Sequence, residues 1–274
     1  MRETAPIELA QAGVTLPPSA DRLPCDDGIP METHRHVLQM RLLMEPLEDF
    51  WAGREFFVGG NMFVYFSPEQ VRKHDYRGPD VFVVLDVERR NRQAWVVWEE
   101  GKGPDVVIEL LSESTAAFDK TEKKRIYQDR LRVPEYFWFD PFGAELAGFA
   151  LNDAVYEPME ADERGNLVSR RLGLALARWH GEYGGAQAEW LRWASMEGDL
   201  VPTPQERARA EALRAVEASQ RAVEASQRAV EASQYAETER LRAEDAERRA
   251  AHERERAERF AEMLRALGKD PDQS

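Results

Sequence analysis

Two carboxylates have the spacing and surroundings that could hold a divalent cation. Glu109 lies in the middle of the apolar run VVIELL, which predicts a central strand, and Asp80 follows Gly78-Pro79 directly before the strand-like VFVVLDV. A carboxylate inside a central strand is costly unless it is paired or binds a metal. Mg²⁺ prefers one or two carboxylates together with waters and phosphate oxygens. The bound ion would activate water for attack on a phosphodiester, so the pattern indicates metal-dependent hydrolysis.

The same side chains also have a structural interpretation. Glu109 could form a buried ion pair with Lys123, which lies on the helix predicted after the strand. Acid pairs near strand ends are common, and most of them are structural. Of the neighbouring lysines, we predict that Lys102 and Lys120 are solvated surface charges, and Lys124 lacks the four-residue spacing to Tyr127 that Lys123 has.

A mixed sheet is predicted to position these groups. Segments rich in β-branched and aromatic residues predict a series of strands that one helix interrupts, which is typical of a mixed α/β or α+β domain built round one sheet. Asn152-Asp153 is predicted as the turn between the last two strands. The predicted strands are Glu55–Val58, Met62–Phe66, Val81–Val87, Ala94–Glu99, Val106–Leu111, Tyr136–Asp140, Leu146–Leu151 and Val155–Glu160.

Two helices accompany the predicted sheet. The first begins at Glu32, in METHRHVLQMRLL, and Pro46 should kink or interrupt it. The second contains KTEKKRIYQDRL, with Asp119 as its predicted cap. Lys123 and Tyr127 are four residues apart there, so they share one face.

Charge is distributed unevenly along the chain. The 274 residues contain 37 Lys and Arg against 51 Asp and Glu, for a formal net charge of −14. Residues 204–274 hold 14 basic and 16 acidic side chains, so the excess belongs to residues 1–203. Because phosphate affinity comes mainly from Lys and Arg, this composition disfavours a non-specific nucleic-acid binder. The lone Cys25 and the absence of a long apolar run lead us to expect a soluble cytoplasmic protein without a membrane span.

The C-terminal region is a seven-residue repeat. RAVEASQ occurs three times in succession, from Arg214, Arg221 and Arg228, and predicts a long helix that Gly268 and Pro271 end. Sustained heptads suggest a coiled coil and a homodimer. With Ala215 as position a, however, the seam is mostly alanine, so a weakly paired or solvated single helix and a partner-binding helix stay open. The predicted organisation is an irregular lead-in (1–30), a sheet domain (31–203), a heptad helix (204–268) and a tail (269–274).

An ordered series of motifs resembles a known family. The strings METHRHVLQMRLL, GPDVFVVLDV, GPDVVIELLSEST and VPEYFWFDP, with Asp119, Lys123 and Tyr127 at four-residue steps, are similar to the Uma-type restriction endonuclease family of the PD-(D/E)XK nuclease superfamily. The resemblance covers about residues 27–200. It implies a restriction-endonuclease-like central mixed sheet flanked by helices, to which the long C-terminal helix is attached.

The resemblance also implies roles for particular residues. Asp80 and Glu109 match the two acids that bind Mg²⁺ or Mn²⁺. The third position of the (D/E)XK triplet is Leu111, where the superfamily has lysine, so the lysine role passes to Lys123 on the following helix. His36, Asp119 and Tyr127 are accessory candidates. His36 could instead have a core or capping role.

The expected function is a metal-dependent endonuclease that hydrolyses DNA. A catalytically inactive nuclease-like scaffold whose coiled-coil tail recruits partners is the alternative, favoured by Leu111 and by the acidity of the sheet domain. Hydrolysis of RNA or another phosphoester would use the same metal chemistry.

Overall fold

The computed structural model describes residues 18–23, 33–67, 76–112 and 116–266. The chain divides into two units, Met1–Arg207 and Ala208–Ser274. Most of the predicted lead-in, the predicted helix start at Glu32, the helix end at Gly268 and the 269–274 tail lie outside the described residues. The part of the lead-in that is described contains a 3₁₀ turn, Ala20–Arg22.

The first unit contains three helical segments and twelve strands within its described part, and the strands form three sheets. Helix α3 covers residues 116–131 and includes two π-helical turns, Asp119–Lys123 and Tyr127–Leu131. The other elements are α1 (His34–Phe50), β1 (Phe56–Gly59), β2 (Val64–Tyr65), β3 (Tyr76–Arg77), β4 (Val81–Leu85), β5 (Trp95–Val96), α2 (Val97–Glu100), β6 (Val106–Leu110), β7 (Glu135–Phe139), β8 (Leu146–Asn152), β9 (Val155–Pro158), β10 (Leu167–Ser169), β11 (Leu174–Tyr183) and β12 (Ala186–Ala194).

The largest sheet has six strands in the order β1-β4-β6-β7-β8-β9. Strands β6 and β7 are parallel, and the other neighbours are antiparallel. Every residue of β6 is buried, as its apolar sequence predicts for a central strand. The fold is therefore mixed α+β with a central mixed sheet, and the predicted fold class is confirmed.

Helices cover both faces of this sheet. Met40, Leu43 and Leu47 of α1 pack on the face that carries Val106 and Ile108 of β6. Tyr127 of α3 packs on the opposite face, in a second apolar cluster that includes Val107. Because side chains alternate along a strand, Glu109 points to the α3 face.

Helix α1 runs through Pro46 without a break, so of the two predicted alternatives, a kink and an interruption, the interruption is wrong. Its start is capped by Thr33, whose hydroxyl accepts a hydrogen bond from the His36 amide. Pro46 lies near the end of the helix and is itself buried, and its neighbours Leu43 and Leu47 pack on the sheet. Burial of this apolar face offsets the hydrogen bond that proline cannot donate.

Two predicted elements have different bounds in the structure. The strand predicted over Ala94–Glu99 is limited to β5, and Val97–Glu100 forms the short helix α2. The β8–β9 turn is Asp153-Ala154, one residue later than predicted, because Asn152 pairs with Val155. Both turn residues have positive φ, 45° and 71°, as the twist of a tight hairpin requires.

Strands β10–β12 form a separate antiparallel sheet that the sequence reasoning missed. The hairpin of β11 and β12 turns at Gly184-Gly185, whose φ values are 59° and 79°. A Gly-Gly pair between alternating segments is a strong hairpin signal, so this element was readable from sequence.

The long helix α4 spans Pro204–Ala266, and its 63 residues include no buried side chain. Thr203 and Glu206 form a capping box at its start, since the Glu206 amide donates to the Thr203 hydroxyl and the Thr203 amide donates to the Glu206 carboxylate. Within the described residues, no helix is both long enough and apolar enough to cross a membrane.

Candidate active site

Glu109 is the centre of a polar cluster on the α3 face of the sheet. Its side chain has no solvent exposure. One carboxylate oxygen, Oε1, accepts a hydrogen bond of 2.7 Å from the Tyr127 hydroxyl. The other, Oε2, lies 3.1 Å from Nζ of Lys123. The central acid therefore has two partners from the same helix.

Asp80 joins this cluster from the neighbouring strand. Its position before β4 places it beside the end of β6, where its Oδ2 accepts a hydrogen bond of 2.7 Å from the Leu110 amide. The carboxyl groups of Asp80 and Glu109 are close enough to interact directly. The two predicted metal ligands thus meet at one end of the sheet.

Lys123 and Asp119 complete the group from α3. Nζ of Lys123 lies 2.7 Å from Oδ1 of Asp119, and the Asp119 side chain is only 1% exposed. The prediction that Asp119 caps the helix is wrong, because α3 is already helical at Ala116 and Asp119 lies in its first π-helical turn. The structure instead makes Asp119 a buried partner of Lys123.

Tyr136 is a member of this network that the sequence analysis identified only as part of a predicted strand. It is buried on β7, and its hydroxyl donates a hydrogen bond of 2.9 Å to the Asp119 carbonyl oxygen. Its ring packs against Tyr127, with centroids 5.3 Å apart. The two tyrosines therefore connect α3 to β6 and β7 on either side of Lys123. The residue type gave no signal of this, since buried tyrosines are common in cores.

Burial and like charge favour the protonated forms of the two acids. Burial, together with the nearby Asp80 charge, raises the pKa of Glu109 to about 7, against the attraction of Lys123. Burial also raises the pKa of Asp80. The pKa of Lys123 is raised despite its burial, because Glu109, Asp119 and Asp80 favour its charged form. Three carboxylates facing one ammonium leave the cluster short of positive charge.

The donor set suits a hard divalent cation that keeps part of its water shell. Asp80 and Glu109 supply carboxylate oxygens, the ligands that Mg²⁺ and Mn²⁺ prefer. Across the described residues, no group of three or more His, Cys, Asp and Glu side chains forms a complete protein ligand set. Two carboxylates with raised pKa values are consistent with a site in which waters and substrate oxygens complete the coordination.

Sequence comparison identifies the family. The chain matches Uma2, described as Putative restriction endonuclease, over residues 16–180. It belongs to this family. Among solved structures, it is similar to a putative nuclease belonging to DUF820 from Anabaena variabilis, with 14% identity, a TM-score of 0.40, and coverage of 57% of this chain and 91% of that chain. No curated protein matches it.

Membership of the Uma2 family confirms the resemblance predicted from the motifs. It supports a nuclease, and so a hydrolase of phosphodiester bonds in nucleic acid. The metal, the substrate and the roles of individual residues stay predictions.

His36 is the accessory candidate that the structure does not bring to the cluster of this Uma2 protein. It lies on α1, which packs on the other face of the sheet. Its imidazole Nδ1 is 2.8 Å from the Thr33 hydroxyl, and its ring is 6.2 Å from the Phe142 ring. These contacts fit the core or capping role that the sequence left open.

The three other lysines of the described residues have different partners from Lys123. Lys102 pairs with Asp105 at 2.7 Å, so it is not the free surface charge that was predicted. Lys124 lies over the Phe149 ring, 3.4 Å from its centroid. Lys120 is 38% exposed and pairs with Glu145. Lys123 alone among them contacts Glu109.

Proposed function

We propose that this Uma2 protein is a Mg²⁺- or Mn²⁺-dependent endonuclease that hydrolyses DNA. The observation that carries the proposal is the convergence of Asp80, Glu109 and Lys123, from two strands and a helix, at one end of the sheet. An acid pair with raised pKa values next to a cation, in which Glu109 is buried and Asp80 half-buried, is the type of arrangement found at catalytic sites.

Asp80 and Glu109 would hold the metal through their carboxylate oxygens. When bound, the ion supplies Lewis-acid stabilisation of the phosphate and a water of lowered pKa. Lys123 would present its ammonium to the phosphate or to the attacking water. Tyr127 would fix the Glu109 carboxylate through its hydrogen bond to Oε1. Asp119 would orient Lys123, since it holds the ammonium at 2.7 Å.

Lys123 is well suited to replace the lysine missing at position 111. Its ammonium already reaches Glu109 from α3, and only 17% of its side chain is exposed. Loss of a positioned charge that stabilises the transition state typically costs about 10²–10³ in rate. We therefore expect Lys123→Met to reduce cleavage by about that factor.

Cleavage of supercoiled plasmid DNA by the full chain tests the proposal. With Mn²⁺ or Mg²⁺ we expect nicked and linear products, and with EDTA none. Asp80→Asn and Glu109→Gln should abolish cleavage, whereas the neighbouring Lys124→Met should retain it, because Lys124 contacts Phe149 and not the acids. Equal activity of wild type and the two acid variants would refute the proposal.

A non-catalytic scaffold is the second candidate. It is favoured by the contacts that Glu109 already makes to Lys123 and Tyr127, which satisfy the acid without a metal. Calorimetric titration with Mn²⁺ separates the two. The endonuclease should bind Mn²⁺ at one site that Asp80→Asn removes, whereas the scaffold should show no site-specific binding.

We further propose that two copies pair through α4. The heptad repeat supports this pairing, and the described helix leaves Val216, Val223 and Val230 more than half exposed. In the Ala215 register these valines occupy position b, so they lie outside the alanine seam. Self-association could therefore use either the alanine seam or the face that carries these valines.

Sedimentation of the full chain tests pairing and identifies the face. If the alanine seam pairs, Ala222→Glu with Ala225→Glu should give monomers. Gln220→Glu with Gln227→Glu adds the same charge at position f and should leave the dimer intact. A wild-type chain that sediments as a monomer at high concentration would refute the pairing.

A further inference from the structure

Trp138 lies directly beside the candidate active site. It is on β7, and its register partner on the parallel strand β6 is Glu109. Side chains opposite each other in a sheet point to the same face, and neighbouring strands are about 4.8 Å apart. The indole therefore adjoins the central acid on the α3 face.

The indole is not fully enclosed. Trp138 is only partly buried, whereas Tyr136, two residues earlier on the same face, has no exposure. Its register partner on β8 is Ala147, whose small side chain leaves room beside the ring. Within the part of the chain that the structure describes, the indole N–H has no protein partner, unlike that of the buried Trp190, which donates to the Gly181 carbonyl oxygen.

Positive charge lies over this aromatic surface. Nζ of Lys120 is 4.2 Å from the centroid of the Trp138 ring. That lysine is 38% exposed, and its ion pair with Glu145 joins two solvent-accessible groups at 3.2 Å. Contacts of this kind are weak and exchange readily for a phosphate oxygen. An aromatic platform beside a flexible cation is the combination that binds single-stranded nucleic acid.

We propose that Trp138 stacks an unpaired nucleobase next to the phosphodiester to be cleaved, and that Lys120 contacts the adjacent phosphate. The proposal rests on the proposed nuclease function and specifies that the cleaved bond lies next to an unpaired base, such as those that negative supercoiling opens in plasmid DNA. A base inside an intact duplex is stacked on both sides and could not reach the indole.

Binding of a fluorescein-labelled oligothymidine tests this directly. Anisotropy is measured with the full chain in Ca²⁺, and a gel afterwards checks that the oligonucleotide is intact. Trp138→Leu should weaken binding about tenfold, the typical loss for one stacked base. Trp138→Phe keeps an aromatic face and should lose threefold or less. Trp179→Leu, on the separate sheet of β11, is the matched control and should bind like wild type.

A ligand series identifies the stacking contact itself. One abasic residue, placed at successive positions of the oligonucleotide, should weaken wild-type binding about tenfold at one position and should have no such effect on Trp138→Leu. Lys120→Met should reduce the salt dependence of binding, since it removes one phosphate contact. Duplex binding should be the same for wild type and Trp138→Leu.

The proposal is overturned if Trp138→Leu binds oligothymidine as tightly as wild type, or if it loses duplex affinity equally. Because binding is measured without cleavage, the two proposals fail separately. A stacking effect together with cleavage by Glu109→Gln would refute the proposed catalytic site only. Cleavage that depends on Glu109, without a stacking effect, would refute the role of Trp138 only.

Discussion

Replacing Glu109 with glutamine should stabilise the folded protein at alkaline pH while removing its proposed activity. The pKa of this buried acid is raised from 4.5 to about 7. Such a difference corresponds to about 3 kcal/mol between the protonated and ionised states. Glutamine has the shape of the protonated acid and cannot ionise, and Lys123 keeps Asp119 as a partner.

The sign of the effect follows from proton binding. Because the pKa is higher in the folded state, the folded chain binds more protons than the unfolded chain between pH 4.5 and 7. Wild-type stability should therefore fall as the pH rises through this window. Glu109→Gln should exceed wild type by less than about 1 kcal/mol near pH 5 and by about 3 kcal/mol at pH 8, because the difference vanishes only below the unfolded pKa of 4.5.

Urea unfolding in EDTA at the two pH values measures this difference. Glu182→Gln is the matched control, since it removes an exposed acid on β11. Its effect on the free energy of unfolding should be small and the same at both pH values. Added Mn²⁺ should stabilise wild type at pH 8 by mass action but not Glu109→Gln. If Glu109→Gln is less stable than wild type at pH 8, the Lys123 ion pair outweighs the burial cost and the reasoning is refuted.

Three further results are expected from the same structure. The apparent affinity for Mn²⁺, measured by calorimetry, should rise by up to about tenfold per pH unit towards pH 7 and then level off, because binding displaces a proton from Glu109; a flat profile would contradict this. Asp105→Asn should destabilise the fold by about 2 kcal/mol in urea unfolding, since Asp105 accepts hydrogen bonds from Lys102, the Leu85 amide and Arg171. Ala154→Gly should stabilise it by about 1 kcal/mol, because a non-glycine residue is strained at φ 71°; no gain in the urea midpoint would count against that strain.

Local sequence predicts the strand and helix pattern around the site because each element has its own periodicity. The apolar run VVIELL identifies a central strand, and the single acid within it is conspicuous for that reason. The four-residue steps from Asp119 to Lys123 and Tyr127 place all three on one helix face. Once this helix face packs on the sheet, Lys123 and Tyr127 can contact Glu109, and Asp119 can contact Lys123.

Features that depend on tertiary contacts were not predictable in the same way. The periodicity of α1 shows which of its faces is buried, but it does not show which face of the sheet receives it, so His36 was a candidate that the structure places elsewhere. An aspartate at an apparent helix start is typical of a cap. In the structure, however, α3 is already helical at Ala116, so Asp119 lies inside the helix and its side chain is buried. The π-helical turns carry no composition signal, although such turns are frequent at functional sites.

The acidity of the chain has a specific meaning at this site. Three acids gather round one ammonium here: Glu109 and Asp119 are buried, Asp80 is half-buried, and ionising them all leaves negative charge that Lys123 compensates only in part. A fold selected for stability alone would gain by replacing a buried acid of this kind with an apolar residue. Retaining a destabilising cluster is expected where a cation binds, because the bound ion neutralises the acids and makes the local potential favourable for phosphate. Under the proposed function, the overall negative charge would limit non-specific nucleic-acid binding, while a bound metal, Lys123 and the Trp138 surface would provide the attraction at one place.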